Sequence, residues 1–129
     1  MDVNCLLCNV GLENRDHFLF DCEASWRIWS AVARRCNITP LRSWPQSLEQ
    51  MRTLSSGKLW KRLTLLAWQA SIYWIWSERN GRLHRGIFTP ETTIVSSIDR
   101  QIRNRIASYR DTNTVVASRL LQLWISSAP

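Results

Sequence analysis

Apolar residues return every three or four positions through most of this chain, and that period predicts helices. Trp26, Trp29, Ala33 and Cys36 fall on one stripe, with Ile28 and Val32 beside it. They predict a helix over 22–36 with Asp21 as its N-cap. Residues 37–57 carry Pro40, Pro45 and Gly57 and read as a linker with one short helix at 46–53. A long helix is expected from about Lys58 to His84, weakened at its end by Gly81 and Gly86. Between 63 and 76, eleven of its fourteen residues are apolar and surround nearly the whole circumference. Neighbours are therefore expected on several sides. In "FTPET", Thr89 is the expected N-cap, Pro90 the first helical residue, and Glu91 faces the positive end of the dipole. Val95, Ile98, Ile102, Ile106 and Tyr109 form the stripe of that helix, and Arg100, Arg103 and Arg110 lie off it. "DTNT" breaks the chain, and Val116, Ala117, Leu120, Leu121 and Trp124 mark a last helix ending near Ser127.

One segment departs from this period. In "DHFLFDC", Phe18 and Phe20 alternate against His17, Leu19 and Asp21, which reads as strand. The expected class is mainly α: a small N-terminal hairpin or loop unit, then about four helices in one helical domain. Its parts are 1–36, a linker at 37–57, and a basic, Trp-rich helical region at 58–129. A chain of 129 residues makes one domain with a sizeable core. Most of the eight tryptophans are expected in that core. The run 63–76 is too short for a bilayer and is flanked by Lys61, Arg62, Glu78 and Arg79, so no membrane partner is expected. Met1 and Asp2 lead straight into the cysteines without signal-peptide character. The expected location is an intracellular, reducing compartment, nuclear or cytoplasmic.

The cysteines carry the candidate chemistry: Cys5-x2-Cys8-x8-His17-x4-Cys22. Two residues between cysteines let a tight turn aim both sulfurs at one ion, and "NVG" after Cys8 is turn chemistry. His17 and Cys22 converge if the first ends an extended stretch and the second opens a helix, whose dipole favours a thiolate. Three thiolates and an imidazole make a closed Cys3His site for zinc, structural rather than catalytic. Two other readings stand beside it. The cysteines are then small core hydrophobes, or disulfide partners, which leaves one of the three odd. Cys36 lies on the apolar stripe and reads as core; His84, among Arg82 and Arg85, reads as surface.

The stretch "CLLCNVGLENRDHFLFDCEASWRIW" resembles the zinc-binding domain at the C-terminus of reverse transcriptases from plant LINE-type (non-LTR) retrotransposons. The matching positions are Cys5, Cys8, Glu13, His17, Phe18, Leu19, Phe20, Cys22 and Trp29. "LAWQASIYWIWSERNGRLH" is similar to the segment that follows there, through Trp68, Tyr73, Trp76, Glu78, Arg79, Asn80, Arg82 and His84. The resemblance implies a zinc module that helps a polymerase engage template RNA or target DNA. It also implies a polymerase upstream, so this chain would be a detached tail, a degraded fragment or a host gene made from one.

The net charge is +7, fifteen arginines against Lys58 and Lys61 as the only lysines. Residues 1–37 hold four basic and five acidic residues; residues 38–129 hold thirteen and five. A partner of RNA or DNA is expected, met mainly by the helices through Arg79, Arg82, Arg85, Arg100, Arg103 and Arg110, with Arg15 and Arg27 as minor contacts. The ten acidic residues are scattered, no catalytic residues are assigned, and neither an enzyme nor a small-molecule substrate is expected. The competing expectations are a protein-interaction module that docked on a missing polymerase, and a relic without selected function.

Overall fold

The structure is a computed structural model that describes residues 5–9, 14, 17–55 and 57–126. Glu13, Arg15 and the end of the "NVG" turn lie outside the described residues. The described chain is helical: α1 (Glu23–Arg35), α2 (Trp44–Arg52), α3 (Lys58–Arg85), α4 (Glu91–Ala107) and α5 (Thr114–Ser126). Where strand was expected there is a wide irregular turn at His17–Asp21. Its backbone leaves helical values at Leu19 (φ −100, ψ 82) and enters the left-handed region at Phe20 (φ 85, ψ −19). Burial does not alternate as in a strand: Leu19 and Phe20 are both buried, and the turn serves to insert Phe20. Phe20 has no solvent exposure. Its ring stacks on Trp29 at 5.5 Å and meets Trp44 at 6.5 Å, and Trp44 stacks on Trp68 at 5.4 Å.

Local chemistry sets the helix ends. α1 opens on Glu23, with Cys22 and not Asp21 as N-cap. It closes at Cys36, followed by Asn37 at φ 57. The amides of Asn37 and Ile38 donate to the carbonyls of Arg34 and Ala33, a paired closure for which a left-handed Asn is suited. α2 starts two residues before the expected position because Ser43 caps it, accepting from the Gln46 amide, with Pro45 in the first turn. α3 runs to Arg85 and stops at Gly86, whose φ of 63 a side chain would resist. α4 begins at Glu91 with Pro90 as the cap, not Thr89. The Thr89 amide is used elsewhere, donating to Glu78 of α3 at 2.9 Å. Asn113 caps α5 by accepting from the Val116 amide.

α1, α4 and α5 pack with α3 around one core. The buried stripe of α4 is Ile94, Ile98, Ile102 and Ile106; Val95 and Tyr109 sit half-buried at its margins. Ala117, Leu120 and Trp124 bury one side of α5. α3 is covered along Leu63, Thr64, Ala67, Trp68, Ser71, Ile75 and Glu78, but Tyr73, Trp76 and Leu83 face solvent. Neighbours do lie on several sides, since α1, α4, α5 and the His17–Asp21 turn all pack on α3, and within 63–76 the open strip is Gln69, Tyr73 and Trp76. Of the tryptophans, Trp29, Trp68 and Trp124 are buried, Trp26, Trp44, Trp60 and Trp74 half-buried, and Trp76 exposed. Among the described residues no helix is long and apolar enough to cross a membrane.

Three helices meet at Asp99. Its Oδ1 accepts from the Trp124 indole at 2.7 Å and pairs with Arg35 at 3.2 Å and Arg103 at 3.1 Å. Arg35 also lies over the Trp124 ring, 4.5 Å from its centroid. Burial works to raise the Asp99 carboxyl, but the Trp124 indole and the Arg103 and Arg35 cations outweigh it and hold the group below the usual range. The carboxylate therefore stabilises the fold above about pH 4, and that contribution is lost as pH falls through the lowered value. Asp99→Ala should cost about 2 kcal/mol at pH 7, since it strips two cations and an indole of their shared acceptor. Asp99→Asn should flatten the dependence of stability on pH below 4. Urea titrations of the three chains from pH 2.5 to 7 would measure both, and equal slopes for the wild type and Asp99→Asn would contradict this role.

Candidate metal centre

The Cys5–Asn9 turn is closed by the Asn9 amide donating to the Cys5 carbonyl at 2.8 Å, with Asn9 in the left-handed region at φ 59. Asn tolerates that region because its short side chain bonds locally. The Leu7 amide points at the Cys5 sulfur, 3.4 Å away. The second pair arrives through the Phe20 turn. The Cys22 amide donates to the His17 carbonyl at 2.6 Å, so the backbone folds back and brings residues five apart to one side. Ser25 locks this reversal: its hydroxyl accepts from the Phe20 amide at 3.0 Å and donates to the Cys22 carbonyl at 3.1 Å.

The result is a cluster of Cys5, Cys8, His17 and Cys22 whose ligand atoms all lie within 4.8 Å of one another. The Cys5 and Cys22 sulfurs are 3.9 Å apart, and Cys8 Sγ is 3.3 Å from His17 Nε2. A tetrahedral ion with bonds of about 2.0–2.3 Å needs edges of roughly 3.5–3.8 Å, so the four donors fit one. Cys5 and Cys22 are buried, Cys8 and His17 half-buried. Burial pushes the Cys22 thiol up to about 12 and raises Cys5 as well. Without a cation both thiols stay protonated at neutral pH; a divalent ion is what makes thiolates acceptable here. Four protein donors would leave a bound tetrahedral ion no open position, as in structural sites. Cys36 is buried outside the cluster, its thiol raised to about 12 by burial, and His84 is exposed on α3.

The loop is fastened from α3. Arg82 Nη1 donates to the carbonyls of Leu6 and Leu7, both at 3.0 Å, while its Nε donates to Glu78 at 2.7 Å. The ring of Phe88 covers the guanidinium at 4.9 Å. Arg82 and Glu78 are only 15% and 7% exposed. Arg82 is thus committed within the molecule rather than turned to a partner. The i,i+4 spacing of Glu78 and Arg82 is visible in sequence; the reach of Arg82 to carbonyls 75 and 76 residues away is not.

The other predicted contact residues do not share a face. Arg79 is half-buried and donates to Asn80, and Arg85 is exposed at the C-terminal end of α3. Arg103 is held by Asp99, Arg100 is exposed on α4, and Arg110 lies beyond the far end of α4. Arg27 pairs with Glu91 at 2.7 Å, tying α1 to the start of α4. The chain matches no family model, no curated protein and no solved structure.

The chain should retain one metal ion per molecule, and Cys22→Ser should abolish stoichiometric retention while Cys36→Ser leaves it intact. Arg82→Ala should keep the donors but loosen the loop, weakening the metal by about tenfold, within the range for lost supporting contacts. Elemental analysis and chelator competition would test this; a Cys22→Ser protein with a full metal complement would refute the ligand set.

Proposed function

We propose that this protein is a non-catalytic, zinc-stapled module that binds RNA or DNA, akin to the zinc-binding region at the C-terminus of LINE-type reverse transcriptases. Zinc suits three thiolates and an imidazole in a closed tetrahedron. Cys5, Cys8, His17 and Cys22 would hold it, and the ion would supply a fixed crosslink between the N-terminal loop and α1.

The observation that carries the binding role is the separation of charge from the metal. α3 is 28 residues long, about 42 Å. The metal loop sits at its C-terminal end, held by Arg82. At its N-terminal end stand Lys58, Lys61 and Arg62, with Arg62 over the Tyr109 ring that follows α4. Arg110 lies beside Tyr109, Arg119 of α5 shares a cleft with Lys58, and Arg34 ends α1 beside Trp60. All six cations are exposed, and the exposed Asp111 lies beside Arg110. A pole of this kind attracts polyanions by counterion release. A second reading, docking on a polymerase, is supported by the open face of α3 at Tyr73, Trp76 and Leu83.

Protein purified without added zinc should carry about one zinc per chain. Its affinity for nucleic acid should fall linearly in logarithm with salt, with a slope for roughly three to six phosphates. Lys61→Glu with Arg110→Glu should weaken every sequence alike and flatten the slope by about two units. Chelation should matter less than this double change. Absence of binding to any polyanion at low salt would remove the nucleic-acid reading and leave the docking one.

A further inference from the structure

Two clefts meet at the basic pole. One, about 520 Å³, is lined by Gly57, Lys58, Leu59, Trp60, Arg119, Gln122, Leu123 and Ser126. The other, about 430 Å³, lies between the end of α1 and the same surface, with Arg34, Arg35 and Asn37. Trp60, Leu123 and Ser126 line both, so the clefts are continuous around the Trp60 side chain. Among the described residues no carboxylate lines either one. Trp60 is half-buried, which fixes its ring yet leaves part of it open.

We propose that this double cleft is a single-strand site: an unpaired base of RNA or DNA stacks on Trp60, with its flanking phosphates on Lys58 and Arg119 to one side and Arg34 to the other. The inference rests on the nucleic-acid reading above and assigns its contact surface. Each cleft has the volume of a small-ligand pocket, enough for one nucleotide. Bases within a duplex are covered on both faces, so only a single strand offers a face to an indole. An indole bordered by cations is the pairing that single-strand binders use: stacking holds the base whatever its identity, and the cations follow the backbone. An acidic peptide would satisfy the cations but leave the indole without a planar partner.

The test uses the full zinc-loaded chain with four fluorescent probes: ten-nucleotide oligouridylate, oligodeoxythymidylate, a blunt ten-base-pair DNA duplex, and a ten-residue oligoglutamate. The two single strands should bind at least about tenfold tighter than the duplex or the peptide. Trp60→Ala should weaken the single strands by about tenfold, leave their salt slope unchanged, and leave the duplex unaffected. Trp60→Phe, which keeps a ring in the cleft, should retain most of the affinity. Arg119→Glu should lower single-strand affinity and flatten the slope by about one or more units. Far-UV circular dichroism would establish that each variant is folded. Should Trp60→Ala misfold, Trp60→Phe and Arg119→Glu decide. If folded Trp60 and Arg119 variants bind single strands as the wild type does, the site lies elsewhere while the nucleic-acid reading survives. Equal binding of oligoglutamate, or preference for the duplex, would overturn the single-strand assignment, and loss of all polyanion binding would overturn both readings.

Discussion

The N-terminal loop has a place in this molecule because of one guanidinium. Arg82 is nearly buried and would be costly there alone; Glu78 balances its charge, the Leu6 and Leu7 carbonyls accept its hydrogen bonds, and Phe88 covers its face. The same Glu78 oxygen accepts the Thr89 amide and so fixes the lead-in to α4. One ion pair therefore positions three segments distant in sequence: the metal loop, the end of α3 and the turn after it. The reciprocal fit between a buried cation and two loop carbonyls also explains why the loop cannot slide. Each carbonyl left without Arg82 would be a polar group facing protein instead of water.

A second joint lies at the middle of α4, where Asp99 gathers Arg103, Arg35 from the end of α1 and Trp124 from near the end of α5. Between the two joints the core is aliphatic, built from the isoleucines of α4 and the small and branched residues of α3. The tryptophans are not distributed through it evenly. Trp29, Trp44 and Trp68 form a ladder with Phe20 on the side of the metal loop, while Trp60 borders the basic clefts at the other end. Aromatic area thus serves two separate tasks in one small domain, and the abundance of Trp has no single cause.

Much of this was legible in the sequence where the physics is local. The 3.6-residue period located α1, α3, α4 and α5, and the compact Cys-x2-Cys-x8-His-x4-Cys spacing named the four donors that come together. Capping was legible only in part. Ser43 and Asn37 announce their ends by chemistry, whereas Cys22 and Pro90 stand at the cap positions without any side-chain cap bond to announce them. The segment misled because Leu19 and Phe20 are buried in succession by an irregular turn, where a strand would send them to opposite faces. The arginines misled differently. Spacing shows which cations avoid a helix's apolar stripe, but not that Asp99 holds Arg103 or that Arg82 turns inward to a distant loop. Lys58, Arg34 and Arg119 belong to three different helices, and only their packing makes them neighbours of Trp60.

The left-handed backbone at Phe20 has a consequence for the seating of the loop. A residue other than glycine in that region costs about 1–2 kcal/mol, and the cost is offset only when its ring enters the slot between Trp29 and Trp44. The wall behind Trp44 is Trp68, and the clamp on the loop is Arg82. Both are synthesised long after the last donor, Cys22. Without α3 the loop would keep the local bonds of Asn9 and Ser25 but lack the wall and the clamp that seat it against the helices. Seating of the N-terminal loop therefore depends on side chains of a helix that follows it in the chain.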